Sequence, residues 1–320
     1  LEQSGRFTVT TWQELKDLLR QAGKDASAAL DDEAGFEVCR RSGIETLAVG
    51  FYTKAGETFV TDVKVLDAAT KRALRTTQAR GDGPASILKT QIDDISRAIR
   101  RGRGLEALRS GKAGPRIADL TTSSLEAYRA YIQGRGEYEG YRGAEARRSL
   151  EKAVSLDPEF AVAHLYLARA LSSLIDYKAR DESLEMARRL AARASEKERL
   201  YIEAEYAGTV RRDAAERRRI LEDLVARYPG EKDAHYELSY AYEVNREYSK
   251  ALAGYEKTLA LDPDFNAVLN RAALTFLRMG EPAKAVPYLE RYAAINPDDP
   301  MPGDATAEMY PLSGRLADAA

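Results

Sequence analysis

The chain has 320 residues, enough for about two domains and for a core that needs no disulfide staples. Its 49 Lys plus Arg against 51 Asp plus Glu leave a formal net charge of -2, which excludes the one-signed field of a dedicated nucleic-acid or membrane-surface binder. Charged residues make up 31% and hydrophobic ones 44%, no apolar run approaches the ~18 residues of a membrane span, and the single cysteine excludes an intrachain disulfide or a multi-thiolate metal site.

In chain order, Arg6-Phe7-Thr8-Val9-Thr10 alternates as a strand does. Thr11, with Glu14 three positions later, is a capping-box signal for a helix reaching Gln21. A second helix is expected from Asp31 or Asp32 to Arg41, stopped by Gly43, with Cys39 as a small buried residue within it rather than a reactive thiol. A strand over 44–52 places Leu47, Val49 and Phe51 on one face. Lys54-Ala55-Gly56-Glu57 turns into a strand over 58–66, and Asp67 to Lys71 turn again into a strand over 73–79, which makes a meander. A helix over 84–101, opened by Pro84, sets Ile87, Ile92, Ile95 and Ile99 on a stripe that covers one face of the sheet.

Residues 102–122 read as a basic linker. The run Arg97, Arg100, Arg101, Arg103, Arg109, Lys112 and Arg116 is interspersed with glycines and carries no aromatic residue for base stacking. It is therefore a solvated connection rather than a phosphate-binding strip.

Beyond this point a helical period replaces alternation. Asp262-Pro263 and Asn296-Pro297 lie 34 residues apart, Pro229 lies another 34 upstream, and Pro158 lies 71 before that, two periods plus three inserted residues. If each proline closes a unit, units begin near Ala127, Ala161, Glu198, Lys232, Asn266 and Pro300. A small residue then recurs at the eighth and twentieth positions and a large one at the twenty-fourth. Gly134, Ala146 and Leu150 fill them in the first unit, Ser239, Ala251 and Tyr255 in the fourth, and Ala273, Ala285 and Leu289 in the fifth. Two antiparallel helices approach closely only where a small side chain leaves room and a large one fills the adjacent hole. The second unit carries the insertion, between Leu171 and Lys197. The third has Arg217 where a small residue belongs, so shifted packing is expected there. The sixth keeps Ala307, Tyr310, Gly314 and Ala319 in register but stops inside its second helix without a polar cap, so the natural protein is expected to continue past Ala320.

With this register, residues from about 123 to 320 resemble tetratricopeptide repeats, whose period is about 34. Leu238-Ser239, Tyr242, Ala251, Tyr255 and Pro263 form the best-matching unit. Upstream, the stretch 43–67 with its end Val65-Leu66-Asp67-Ala68-Ala69-Thr70 resembles the TolB-like or CsgG-like small α/β domain, over residues 1–101. Together the resemblances imply an α+β N-terminal domain followed by an all-α tetratricopeptide superhelical solenoid of about five and a half repeats. In bacteria this α/β module often precedes such arrays in regulatory or envelope proteins. Its opening strand and most of its first helix have no counterpart here, and Leu1-Glu2-Gln3-Ser4-Gly5 reads as the last turn of a helix, so sequence upstream is expected.

Catalytic signals are not found. His164 and His235 both take the fourth position of a unit, where a large aromatic packs between helices, and neither has partners for a metal or a triad. No phosphate-binding GxxxxGK[ST] loop occurs, and Gly134-Arg135-Gly136 lacks the preceding strand that a dinucleotide site requires. No enzyme activity, cofactor or metal is expected. Arg211, Arg212 and Arg217 to Arg219 are expected on an exposed helix face, partly compensated by Asp213, Glu216 and Glu222.

The tetratricopeptide resemblance implies a concave groove lined by the first helix of each unit at positions 2, 5, 9 and 12. These are Tyr128, Tyr131, Arg135 and Tyr138 in the first unit and Asp233, Tyr236, Tyr240 and Glu243 in the fourth. The second contributes Val162, Leu165, Arg169 and Ser172, and the fifth Ala267, Asn270, Leu274 and Leu277. Tyrosine and arginine anchors suit a protein or peptide ligand. The carboxylate clamp of some family members needs Lys and Asn at positions 5 and 9, where this chain has Tyr131/Arg135 and Tyr236/Tyr240. The expected function is a protein-interaction scaffold; the alternative is the regulatory region of a larger bacterial signalling protein whose kinase, cyclase or transcription-factor part lies upstream. Neither a small-molecule substrate nor a nucleic acid is expected, and membrane contact is expected only through segments outside this chain. The compartment, periplasmic or cytoplasmic, is not readable from the sequence.

Overall fold

The computed structural model describes residues 32–100 and 116–295, with positions 9, 10, 15, 18 and 19 before them. The Thr11 capping box, most of the basic linker and the sixth unit lie outside the described residues. Val9 and Thr10, the described end of the expected first strand, are not in a strand, whereas Leu15, Leu18 and Leu19 are helical. The chain divides into two compact units, Leu1–Arg211 and Arg212–Ala320.

In the first unit, helix α1 (Asp32–Ser42) ends where Gly43 adopts φ +66° and the Ile44 N–H donates back to the Cys39 carbonyl at 2.8 Å. Glycine reaches this left-handed conformation without a Cβ penalty and so closes the helix. Cys39 is 2% exposed, and burial pushes its thiol up from the ordinary cysteine value, which suits a packing residue. Strands β1 (Thr46–Ala55), β2 (Thr58–Asp67) and β3 (Ala73–Asp82) form an antiparallel meander in the order β1-β2-β3. Thr46 pairs with Asp67 and Ala55 with Thr58, so the first hairpin is closed by Gly56 and Glu57 alone, with Gly56 at φ +63°. β1 begins two residues later than its alternation indicates, and all three strands run past their expected ends, β1 because the hairpin stays paired to its tip. The second turn is held by the Asp67 carboxylate, which accepts from the Thr70 N–H at 2.6 Å and its hydroxyl at 2.8 Å.

One sheet face packs on α1 through Leu47 and Leu66 against Phe36 and Cys39. The other is covered by the expected helix, in two parts: a π-helical turn (Ile87–Gln91) and α2 (Ile92–Arg100). The wider turn shifts the phase of the core stripe. Leu88, Gln91, Ile95 and Ile99 are buried, while Ile87 and Ile92 are only partly so. Gln91, fully buried, meets its polar needs by donating to the Phe59 carbonyl and the Ser86 hydroxyl and accepting from Thr61 at 2.7 Å.

After a short helix α3 (Ile117–Leu120), the helical hairpins begin: α4 (Leu125–Glu139) with α5 (Gly143–Leu156), and α6 (Ala161–Ser173) with α7 (Tyr177–Arg189), followed by α8 (Glu196–Thr209). The second unit carries α9 (Ala214–Arg227), the pair α10 (Lys232–Val244) and α11 (Tyr248–Leu261), and the pair α12 (Asn266–Arg278) and α13 (Pro282–Ile295). Three of the five described repeat starts fall on the expected residue and two fall two residues earlier. The insertion is a 3₁₀ turn (Ala191–Arg193) after α7. Caps explain several of these starts: Ser124 and Asp213 each accept from the backbone N–H three residues on, and Ser195 forms a reciprocal capping box with Glu198.

The small-residue positions pack as expected. A Cβ on Gly134 would lie 2.6 Å from Leu150 Cγ, and Ala146 and Leu150 are fully buried. In the second unit Ser239, Ala251, Tyr255, Ala273 and Ala285 are at most 1% exposed. Both histidines are core residues: His164 Nε2 donates to the Pro158 carbonyl and His235 Nε2 to the Pro229 carbonyl, each at 2.9 Å. Each imidazole thereby ties a first helix to the proline that closes the preceding repeat.

Candidate protein-binding face

The first helices of the hairpins carry the expected groove positions, and the structure sorts them into two roles. In the first unit Tyr131 is 5% exposed and packs edge-on against Phe160 at 5.0 Å and Tyr166 at 5.6 Å. Burial pushes its hydroxyl well above the ordinary tyrosine value. Tyr131 is therefore a packing residue beneath the face and offers no surface to a ligand. Tyr128 stands over it at 6.2 Å and stays partly exposed.

Tyr166, 8% exposed, belongs to this aromatic floor, and two guanidinium groups lie near its ring. Arg135 Cζ lies 5.2 Å and Arg169 Cζ 5.3 Å from its ring centroid, and Arg169 is also 5.7 Å from the Tyr201 ring. Carboxylates hold the cations: Glu139 lies 2.7 Å from Arg135 and Glu205 3.6 Å from Arg169. Such stacking is worth about 0.5–1 kcal/mol at exposed sites and more when desolvated, so the arginines are held in place before any ligand arrives.

The second unit repeats the device. Tyr240 lies between Arg217, 6.0 Å away, and Arg271, 4.4 Å away. Arg217 pairs with Glu237 at 2.5 Å, and Arg218 pairs with Glu247 at 2.9 Å. This corrects the expectation of a simply solvated arginine face: Arg217 and Arg218 reach from α9 to α10 and its following turn. Glu243, expected to line the groove, is 2% exposed because it accepts from the Tyr255 hydroxyl at 2.5 Å, lies 3.4 Å from Arg271 and forms an ion pair with Arg278. It anchors Arg271 from below. Tyr236 is half-buried against Phe265 at 5.4 Å, and Asn270 stays partly exposed beside Arg271.

Thus Arg135 and Arg169 converge on Tyr166, and Tyr240 meets Glu243 through Arg271. Tyr166, Tyr201, Glu205 and Arg271 are missed by counting positions 2, 5, 9 and 12. The available signal is the i,i+3 pair Tyr166/Arg169, which shares a helix face.

A cleft of about 420 Å³ is lined by Tyr52, Phe59, Pro84 and Ile87 of the small module and by Leu125 and Arg129 of α4. It is largely apolar and holds no acid–base pair. No described helix is long and apolar enough to cross a membrane.

Comparison with known proteins gives one family match, to a model described as tetratricopeptide repeat, over residues 267–299. No curated protein matches the chain. Among solved structures the chain is similar to PilW, a type IV pilus biogenesis factor, at 18% identity and TM-score 0.48, covering 61% of this chain and 90% of that one. It is similar to a thermophilic tetratricopeptide-repeat protein of Thermus thermophilus at 20% identity and TM-score 0.44, covering 57% and 98%. It is similar to the tetratricopeptide protein YrrB at 17% identity and TM-score 0.35, covering 56% and 91%. The family match falls on α12 and α13, so the likeness to a tetratricopeptide repeat is shown for that hairpin.

Proposed function

We propose that the chain is a non-catalytic interaction scaffold, whose first helices present a tyrosine- and arginine-lined face to a protein or peptide partner. The observation that carries this reading is a pair of arginines whose guanidinium groups lie within 6.0 Å of one tyrosine ring in each compact unit, Arg135 and Arg169 near the buried Tyr166 and Arg217 and Arg271 near Tyr240. Rigid rings and pre-positioned arginines give contact area and directed hydrogen bonds at low ordering cost. Of the eight residues singled out from sequence, Tyr128, Arg135 and Arg169 belong to the face of the first compact unit with Tyr131 beneath them, and Tyr236, Tyr240 and Asn270 to that of the second with Glu243 beneath them. We assign residues 123–320 to the tetratricopeptide array, 102–122 to a linker, and 1–101 to a TolB-like α/β module acting as a second docking element. The test is affinity capture from source-cell extract by the full chain, comparing wild type with Tyr128→Ala/Arg135→Ala and with Tyr240→Ala. Loss of a captured protein at unchanged circular dichroism supports the reading; equal capture by every variant removes the face from the interaction.

A further inference from the structure

Residues 116–122, the end of the expected linker, are docked, and they are held at three places. The Ile117 N–H, at the start of α3, donates to the Asp93 carboxylate of α2 at 3.2 Å, and α3 packs against the π-helical turn 87–91. Gln91 in that turn bonds β2 through Phe59 and Thr61, so this contact reaches the sheet. α3 also packs against the 3₁₀ turn Ala191–Arg193, with Ala118 and Leu120 of α3 and Ala191 of the turn buried. Arg116, and more weakly Arg193, hold the Asp119 carboxyl of α3 below its ordinary value. Finally, Thr122 is fully buried; its hydroxyl donates to the Asp157 carboxylate at 2.5 Å and accepts from the Ser124 N–H at 3.0 Å.

Two departures of the repeats from their own pattern fall where this segment docks. The three residues that break the 34-residue period form the 3₁₀ turn against which α3 packs. The first repeat also lacks the side chain that would hold its own closing aspartate. In the fourth repeat Asp262, before Pro263, pairs at 2.5 Å with Lys232 from the start of the same repeat. The first repeat has Ala127 in the matching place, and Asp157, before Pro158, takes Thr122 from outside the repeat instead. A buried hydroxyl on a carboxylate is a charge-assisted bond, stronger than a neutral one. The Pro158 carbonyl in turn accepts from His164 of α6, which carries the contact into the second repeat. We propose that residues 116–124 form a strap that locks the small sheet module to the first two repeats, so that the two open together. The strap stands whether or not the first helices bind a partner.

Hydrogen exchange of the full chain, read by mass spectrometry, tests this. Thr122→Val removes the hydroxyl from Asp157, and exchange is expected to rise about tenfold in 117–122 and also in α2, on the far side of the strap, with α11 of the second unit unchanged. Thr122→Ser keeps the hydroxyl and should exchange as wild type does. Asp93→Ala, acting from the opposite end, is expected to speed exchange in 117–122 and at the 3₁₀ turn 191–193. Circular dichroism checks each fold, and Asp93→Ala decides alone if the valine variant unfolds. A rise on the far side of the strap supports the inference. Wild-type rates there, in α2 for Thr122→Val and at 191–193 for Asp93→Ala, overturn it.

Discussion

Gly134 and Gly136 sit two residues apart in α4, yet alanine at each should act in opposite directions. A glycine inside a helix costs about 1 kcal/mol relative to alanine, so propensity alone favours both changes. At Gly136 nothing lies within 4 Å of the added Cβ, and Gly136→Ala should stabilise by about 0.5–1 kcal/mol. At Gly134 the added Cβ would meet Leu150 Cγ at 2.6 Å and Leu150 N at 3.1 Å, where carbon contacts settle near 3.5–4.0 Å. Leu150 is fully buried and its backbone belongs to α5, so the helices must part by several tenths of an ångström. Overpacking of this kind costs about 1–3 kcal/mol, which outweighs the propensity gain and leaves a net loss of about 1 kcal/mol or more. Urea unfolding followed by circular dichroism measures both variants. Gly134→Ala combined with Leu150→Ala should show a favourable coupling, because the smaller partner admits the methyl group. If Gly134→Ala stabilises as much as Gly136→Ala, the close crossing of α4 and α5 is wrong and the repeat register loses its steric basis.

Other perturbations probe the remaining packing. Pro287 lies inside α13 at an exposed position, past the first turn, so Pro287→Ala should restore a backbone hydrogen bond and raise stability by up to about 3 kcal/mol in thermal unfolding. Tyr255→Phe removes the hydroxyl that donates to buried Glu243, and it should lower stability by about 1–3 kcal/mol with the fold retained. Burial pulls the His164 pKa below the usual histidine value, so the folded state binds its proton less readily than the unfolded chain. Its contribution is complete above about pH 6.5 and is lost as pH falls through the depressed folded value. Urea midpoints taken between about pH 7 and 5 should therefore fall less steeply for His164→Gln than for wild type, and an unchanged slope refutes the assignment.

The repeats were readable from prolines and small residues because both report backbone necessities. A proline cannot continue a helix, and a crossing point admits only a small side chain, so Pro158, Pro229 and Pro263 mark unit ends as surely as Ala146, Ala251 and Ala285 mark crossings. The meander was readable from alternation and from Gly56. What escaped the reading is longer in range. The π-helical turn at 87–91 ends on Gln91, which bonds Phe59, Ser86 and Thr61, partners that no helical period reveals. The proposed face was half legible: counting positions singles out Arg135, Arg169 and Tyr240, which the structure places near aromatic rings. The count does not show that Tyr131 sinks against Phe160, or that Glu243 is drawn under Arg271 and Tyr255, because both depend on a neighbouring hairpin.

The most direct test of the scaffold reading is a binding titration. Peptides selected from a random display library against the full chain are labelled and titrated by fluorescence anisotropy against wild type, Tyr128→Ala/Arg135→Ala, Tyr240→Ala and the exposed second-helix control Lys257→Ala. The account predicts about tenfold or greater loss of affinity for at least one face variant at unchanged Tm, with the control equal to wild type. Equal affinity for all four proteins would contradict it and move recognition off the first helices.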